Sequence, residues 1–376
     1  MKILKVYIVV FFVLYNVSGF SSTNYVSLFL EGKISLQSLV SEFTYKGKYE
    51  ELLNILDRIL ERTNMYEVRF EKVKIGYSLG KNILEEFYLI INTNVFDRII
   101  FYSAIFFDKR FLDDFSSFVL DRNISDFWVI NNLFRLCSLK NYFTPIVGIV
   151  VGMRITNGTL ISELIDKLYS FFMYSDITNI FYSLREIYTF SEEDLLLVGR
   201  SLGELGDEEC LKIFSKNNRS FVPFRIEFLI RFGYIDEGIS EAKVGFLTPR
   251  LAKYLFIAFL NLGDYEEARM VLNYINIESF KLYFSYVLDL LMGRNLLQVE
   301  EKLKNLLKNP GIDLDVKNQV GFLLWIINTS NDKKTMEEEV IMSLNYFNGI
   351  KNHKYSSIRI LEKLKAIKSL DSEMNR

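Results

Sequence analysis

Gly263-Asp264-Tyr265-Glu266-Glu267-Ala268-Arg269 reads as the meeting point of two short helices at one tight turn. An apolar run, residues 251–262, enters it, and a shorter one, residues 270–275, leaves it. Glycine supplies the left-handed position that ends a helix. The two glutamates fall in the first turn of the next helix, where the macrodipole favours negative charge. Near the start of the chain Tyr45-Lys46-Gly47-Lys48-Tyr49-Glu50-Glu51-Leu52-Leu53 repeats the order glycine, aromatic, paired acids, apolar residue before a second helix over 52–60. An αα-hairpin written twice predicts a helical repeat protein.

Used as a ruler, the turn glycine recurs as Gly47, Gly80, Gly206, Gly233, Gly263 and Gly293, the last four at intervals of 27, 30 and 30 residues. Between Gly80 and Gly206 the pattern places three further junctions, at 107–110, 139–142 and 174–177, none of which keeps the glycine. One hairpin cannot bury its own apolar face, so successive hairpins must stack. The expectation is an all-α chain of αα-hairpin repeats over residues 22–330, closed by capping helices and a tail over 331–376.

Leu255, Phe259, Gly263, Tyr265, Ala268 and Leu272 fit the apolar, glycine, aromatic and small positions of one repeat unit, which resembles the tetratricopeptide repeat family. Elsewhere the pattern departs from it: Gly238 holds the small-residue position after Gly233, but Leu52 and Gln298 replace it in the first and last units. The resemblance implies a right-handed superhelix, an α-solenoid, whose first helices line a groove that binds protein. Transferring the glycine ruler onto that geometry marks Glu227, Arg231, Arg250, Lys253, Asn261 and Tyr283 as candidate partner-binding residues.

Composition agrees with helices. The chain has only four prolines in 376 residues, at 145, 223, 249 and 310, all near expected helix starts or in linkers where a missing N–H is harmless. Leu296, Val299, Leu303, Leu306 and Leu307 recur at helical spacing. The 33 phenylalanines and 22 tyrosines accompany abundant Ile, Lys and Asn, a bias of AT-rich coding rather than a binding signal.

The first 21 residues have the order of an export signal: Lys2 and Lys5, an apolar run over 6–15, then Ser18-Gly19-Phe20-Ser21. The run is short for a membrane span, so cleavage is expected, with an uncleaved N-terminal anchor as the alternative and the only expected tie to a membrane. Cleavage would move the formal net charge from −2 to −4. An acidic mature chain is not expected to bind nucleic acid.

No catalytic constellation emerges. His353 is the sole histidine, which leaves no two-histidine zinc site. Six carboxylate pairs, Glu50-Glu51, Glu85-Glu86, Asp113-Asp114, Glu192-Glu193, Glu208-Glu209 and Glu266-Glu267, are expected at helix starts as dipole partners rather than as glycosidase acids. No glycine cluster cradles a phosphate. Cys137 and Cys210 lie more than two repeats apart, too far to bridge, and are expected as buried free thiols. Gly148 and Gly152 have the spacing of a membrane-helix interface, but Lys140 and Arg154 bracket only thirteen residues, so a tightly packed buried helix is expected. Residues 351–376 hold seven Lys/Arg against three Asp/Glu, with Ile358, Leu361, Leu364 and Ile367 on one stripe.

The expected function is therefore an exported scaffold or adaptor that binds protein partners in the cell envelope, without cofactor, metal or catalysis. AT-rich coding, an export signal and a divergent repeat body resemble periplasmic scaffolds of spirochaetes, including those of the flagellar motor collar. The alternatives are a cell-wall enzyme or accessory domain of the lytic transglycosylase type and a membrane-tethered secretion or assembly factor.

Overall fold

A computed structural model describes residues 22–93, 96, 99–215, 217–242, 247–330 and 332–351. The export signal, His353 and the apolar stripe of residues 358–367 lie outside them. Among the described residues the chain forms twenty-one α-helices, packed mainly in sequential pairs, and no strand. It divides into two compact units, one of residues 1–168 and 179–189 and one of 169–178 with 190–376.

In the first unit α1 (Ser22–Leu30) and α2 (Leu36–Tyr45) pack on α3 (Tyr49–Leu60). Tyr25, Val26, Leu39 and Phe43 close over Leu52, Ile55, Leu56 and Ile59, the apolar face of an amphipathic helix. The chain continues through α4 (Tyr66–Ser78), α5 (Leu84–Ile91), α6 (Ile100–Phe106), α7 (Lys109–Asp121), α8 (Phe127–Lys140), α9 (Thr144–Gly152), α10 (Gly158–Ser170) and α11 (Tyr174–Leu184), of which the end of α10 and the start of α11, residues 169–178, are counted with the second unit. Phe87 on α5 meets Phe107, Phe111 and Phe115 edge-on at 5.1, 4.9 and 4.9 Å. All four rings are buried, so these aromatics are core. The Gly148–Gly152 segment is the second half of the nine-residue α9, and no helix among the described residues is long and apolar enough to cross a membrane.

The second unit holds the regular hairpins: α12 (Glu192–Glu204) with the single-turn α13 (Cys210–Ile213), α14 (Val222–Arg231) with α15 (Ile235–Ala242), α16 (Pro249–Leu262) with α17 (Tyr265–Leu272), α18 (Glu278–Leu291) with α19 (Leu296–Leu307), and α20 (Leu314–Thr329) with α21 (Lys333–Phe347). From α14 onward their facing sides merge into one core running from Ile226 to Ile350. Pro145, Pro223 and Pro249 each stand in a helical first turn, as expected. Leu255, Phe259, Ala268 and Leu272 are all buried.

All six ruler glycines have positive φ. Gly263, at φ 75°, ends α16 with its N–H on Phe259 and Leu260 carbonyls, and Asp264 caps α17. In the middle, where the junctions lack the turn glycine, Asn141 takes the left-handed conformation within the 139–142 junction, and Asp108 caps α7 within the 107–110 junction. The 174–177 junction falls inside α11; the turn lies just upstream, at Phe172 with φ 58°.

Four of the six acid pairs occupy first helical turns. The other two do not. Asp113-Asp114 sit in the body of α7, whose cap is Asp108, and Asp113 accepts the Tyr142 hydroxyl at 2.8 Å. Glu208-Glu209 precede α13 instead of opening it.

The last helix is more than an end cap. Besides its hairpin partner α20, α21 packs on α16, two hairpins back. Asn345 on α21 and Asn261 on α16 exchange amide hydrogen bonds of 2.8 and 2.9 Å across 84 residues. Beyond it the Lys351 amide donates to the Arg231 carbonyl at 2.6 Å, and its ammonium lies over the Phe232 ring and near the Gly206 carbonyl. The segment crosses successive hairpin turns as a strap.

Candidate functional site

Three first helices of the second unit, α12, α14 and α16, share one charged stripe. Residues four apart on a helix lie on one face, which pairs Glu204 with Arg200 on α12 and Arg231 with Glu227 on α14. Arg250 and Lys253 stand three apart on α16. The centre is closed by ion pairs: Arg231 reaches Glu204 at 3.0 Å, and Arg250 reaches Glu204 at 3.2 Å. Arg250 also grips Glu227 in a two-pronged bond of 2.7 and 2.6 Å. Such forks are among the strongest charge-assisted contacts.

The electrostatics follow from this geometry. Burial alone would raise the Glu204 carboxyl, but the Arg231 and Arg250 guanidiniums outweigh it and hold it below its usual range. Burial opposes the charge on Arg250 and Arg231, and their carboxylate partners more than restore it. Burial, together with the nearby Glu227 carboxylate, pushes the Tyr254 hydroxyl up to about 12. Lys253 goes the other way: burial, then the neighbouring Arg250 charge, draws its ammonium below the usual lysine value.

Two cations at the ends of the stripe have no carboxylate partner among the described residues. The Arg200 guanidinium lies over the Tyr169 ring at 5.1 Å and the Phe224 ring at 5.5 Å, and its buried Nε makes no hydrogen bond. The Lys253 ammonium lies 5.5 Å from the Tyr254 ring centre and 5.1 Å from that of Phe280. It faces a cleft of about 580 Å³ whose walls include Pro249, Ile275 and Ile277.

The structure sorts the six sequence-marked residues. Glu227, Arg231, Arg250 and Lys253 do converge. Glu227, however, is only 2% exposed and serves as the counter-ion beneath Arg250, itself 42% exposed. Asn261 is occupied by Asn345 of the strap. Tyr283 is a correction: it is 1% exposed, packed on Phe284 inside the core, and cannot touch a partner. The ruler measures distance along a helix but not rotation about it. It also passed over Arg200, whose signal is an arginine four residues before Glu204 on the same face.

Cys137 and Cys210 are free and buried, and burial pushes each thiol up to about 12. Among the described residues no group of three or more His, Cys, Asp or Glu could hold a metal ion. A second exposed feature lies in the first unit, where Phe101, Tyr102 and Ile105 of α6 face outward. No protein-family model matches the chain, and no curated protein is significantly similar to it.

Proposed function

We propose that this chain is an exported, non-catalytic scaffold or adaptor that binds protein partners in the cell envelope, its hairpins winding into a right-handed tetratricopeptide-like superhelix. The observation that carries the reading is the stripe across α12, α14 and α16. It keeps two cations over aromatic faces and opens beside Lys253 into a mainly apolar cleft. A surface with aromatic anchors and charged groups at its rim has the chemistry of a recognition patch. The narrower role, in an envelope assembly such as a flagellar motor collar, rests on the sequence resemblance alone.

The test is affinity capture from an envelope extract with the full chain, beside an Arg200→Gln/Lys253→Gln variant that melts like the parent, plus mass determination of the mature N-terminus. The reading expects a discrete protein set that the variant loses, and a chain beginning near residue 20 or 22. Capture unchanged by the variant, or none at all, contradicts it.

A further inference from the structure

Resting on the reading of the stripe as a recognition surface, we propose that Arg200 and Lys253 are paired anchors for two acidic side chains of one partner segment, which runs across α12, α14 and α16 and sets apolar residues between those acids. The charges on the stripe argue for it. Four cations, Arg200, Arg231, Arg250 and Lys253, share it with two carboxylates, Glu204 and Glu227. Those carboxylates are spent on the two central arginines. The end cations are left with aromatic faces alone.

A half-buried cation is costly to hold without an anion, and aromatic faces offset only part of that cost. A ligand carboxylate at either end would add a charge-assisted hydrogen bond that no described residue provides. Each end favours the same sign. Asp315 and Glu227 act on Lys253 through their charge alone, with no hydrogen bond or ion pair to it among the described residues, and Arg250 beside it adds positive potential. The middle of the stripe is neutralised, so it offers a third acid nothing. At the Lys253 end Pro249, Ile275, Ile277 and Phe280 line the cleft, which suits an apolar side chain next to the acid. The occupant that fits is an extended segment with two separated acids and apolar residues between and beside them.

The experiment uses the full chain and a peptide array in which two glutamates are separated by apolar runs of varied length, each peptide paired with a twin carrying glutamine instead. The wild-type chain is expected to retain one spacing class of glutamate peptides about tenfold over the twins. Arg200→Gln and Lys253→Gln should each remove most of that preference without lowering the melting temperature. Equal retention of both arrays, retention of neither, or a preference that survives the double variant overturns the acid chemistry. These outcomes separate from the underlying reading: envelope capture with no peptide preference leaves the scaffold standing and this proposal lost, while the reverse pattern sinks the scaffold alone.

Discussion

Arg250 and Lys253 lie three residues apart on one helix and are both basic, yet they make opposite predictions. Arg250 neutralises Glu227, which is 2% exposed. Arg250→Ala would leave that carboxylate short of its main partner, with only Arg231 nearby at 3.6 Å. A loss of about 1–2 kcal/mol in denaturant unfolding is expected, below the scale for a fully buried pair because Arg250 is itself 42% exposed. Lys253→Met keeps the aliphatic stem and removes a poorly hydrated charge that no carboxylate neutralises, so stability should be unchanged or higher, by up to about 1 kcal/mol. Similar losses for the two variants would show that the ion-pair centre is not as drawn. Glu204 adds a pH dependence of definite sign. Its carboxyl is held below the ordinary 4.5 in the folded chain. The stability it contributes is complete above 4.5 and lost as pH falls through the lowered folded value. Melting curves of Glu204→Gln should therefore depend less on pH in that acid window than those of the parent. An unchanged dependence would contradict the pairing. Gly263 is the backbone counterpart: a Cβ there would meet nothing within 4 Å, so Gly263→Val should cost about 1–2 kcal/mol purely through its φ of 75°. Gly263→Asn should cost less, since asparagine tolerates the left-handed region, as Asn141 does at the end of α8. A valine variant as stable as the parent would refute the turn.

At the scale of elements, the second unit was the legible part. Glycine at a helix end is a local signal, and four of them at near-constant spacing mark hairpins whatever packs around them. The middle of the chain hides the same turns behind Asn123, Asn141, Arg154 and Phe172, all at positive φ. A left-handed residue that is not glycine is held there by surrounding packing, which a single local pattern cannot show. The strap was illegible for a related reason. Its register on α16 depends on Asn261 and Asn345, 84 residues apart; the glycine ruler reads Asn261 as a groove position, and no local pattern links it to Asn345. The site was half legible: the ruler brought out four residues of the stripe, yet Tyr283 belonged to the core and Arg200 stayed unnoticed. The strap makes its own prediction. Asn345→Ala breaks both amide bonds, for a cost of about 1–2 kcal/mol. A double-mutant cycle with Asn261→Ala should recover about 1 kcal/mol of coupling. Additive effects would mean the amide pair contributes nothing specific.

For the molecule as a whole, hairpins that touch only their neighbours would unfold piecemeal, since a linear array has little reason to melt together. In the second unit the strap joins α16, α20 and the turn after α14, and the core is continuous from Ile226 to Ile350. Cooperative loss of that unit is the consequence. The same geometry divides the row of first helices: the strap occupies it at Asn261, while Arg200, Arg250, Lys253 and the cleft beside Pro249 stay accessible. Recognition should therefore concentrate at the accessible part. The most direct measurement places a photo-reactive amino acid at position 277, where exposed Ile277 borders the cleft and Lys253 is left in place, or at exposed Lys304 on α19 as a control, in the full chain expressed in its own cells. Position 277 is expected to cross-link to one or a few defined envelope proteins, and position 304 is not. Cross-links of the same pattern from both positions, or partners reached from position 304 and never from 277, would contradict the recognition surface.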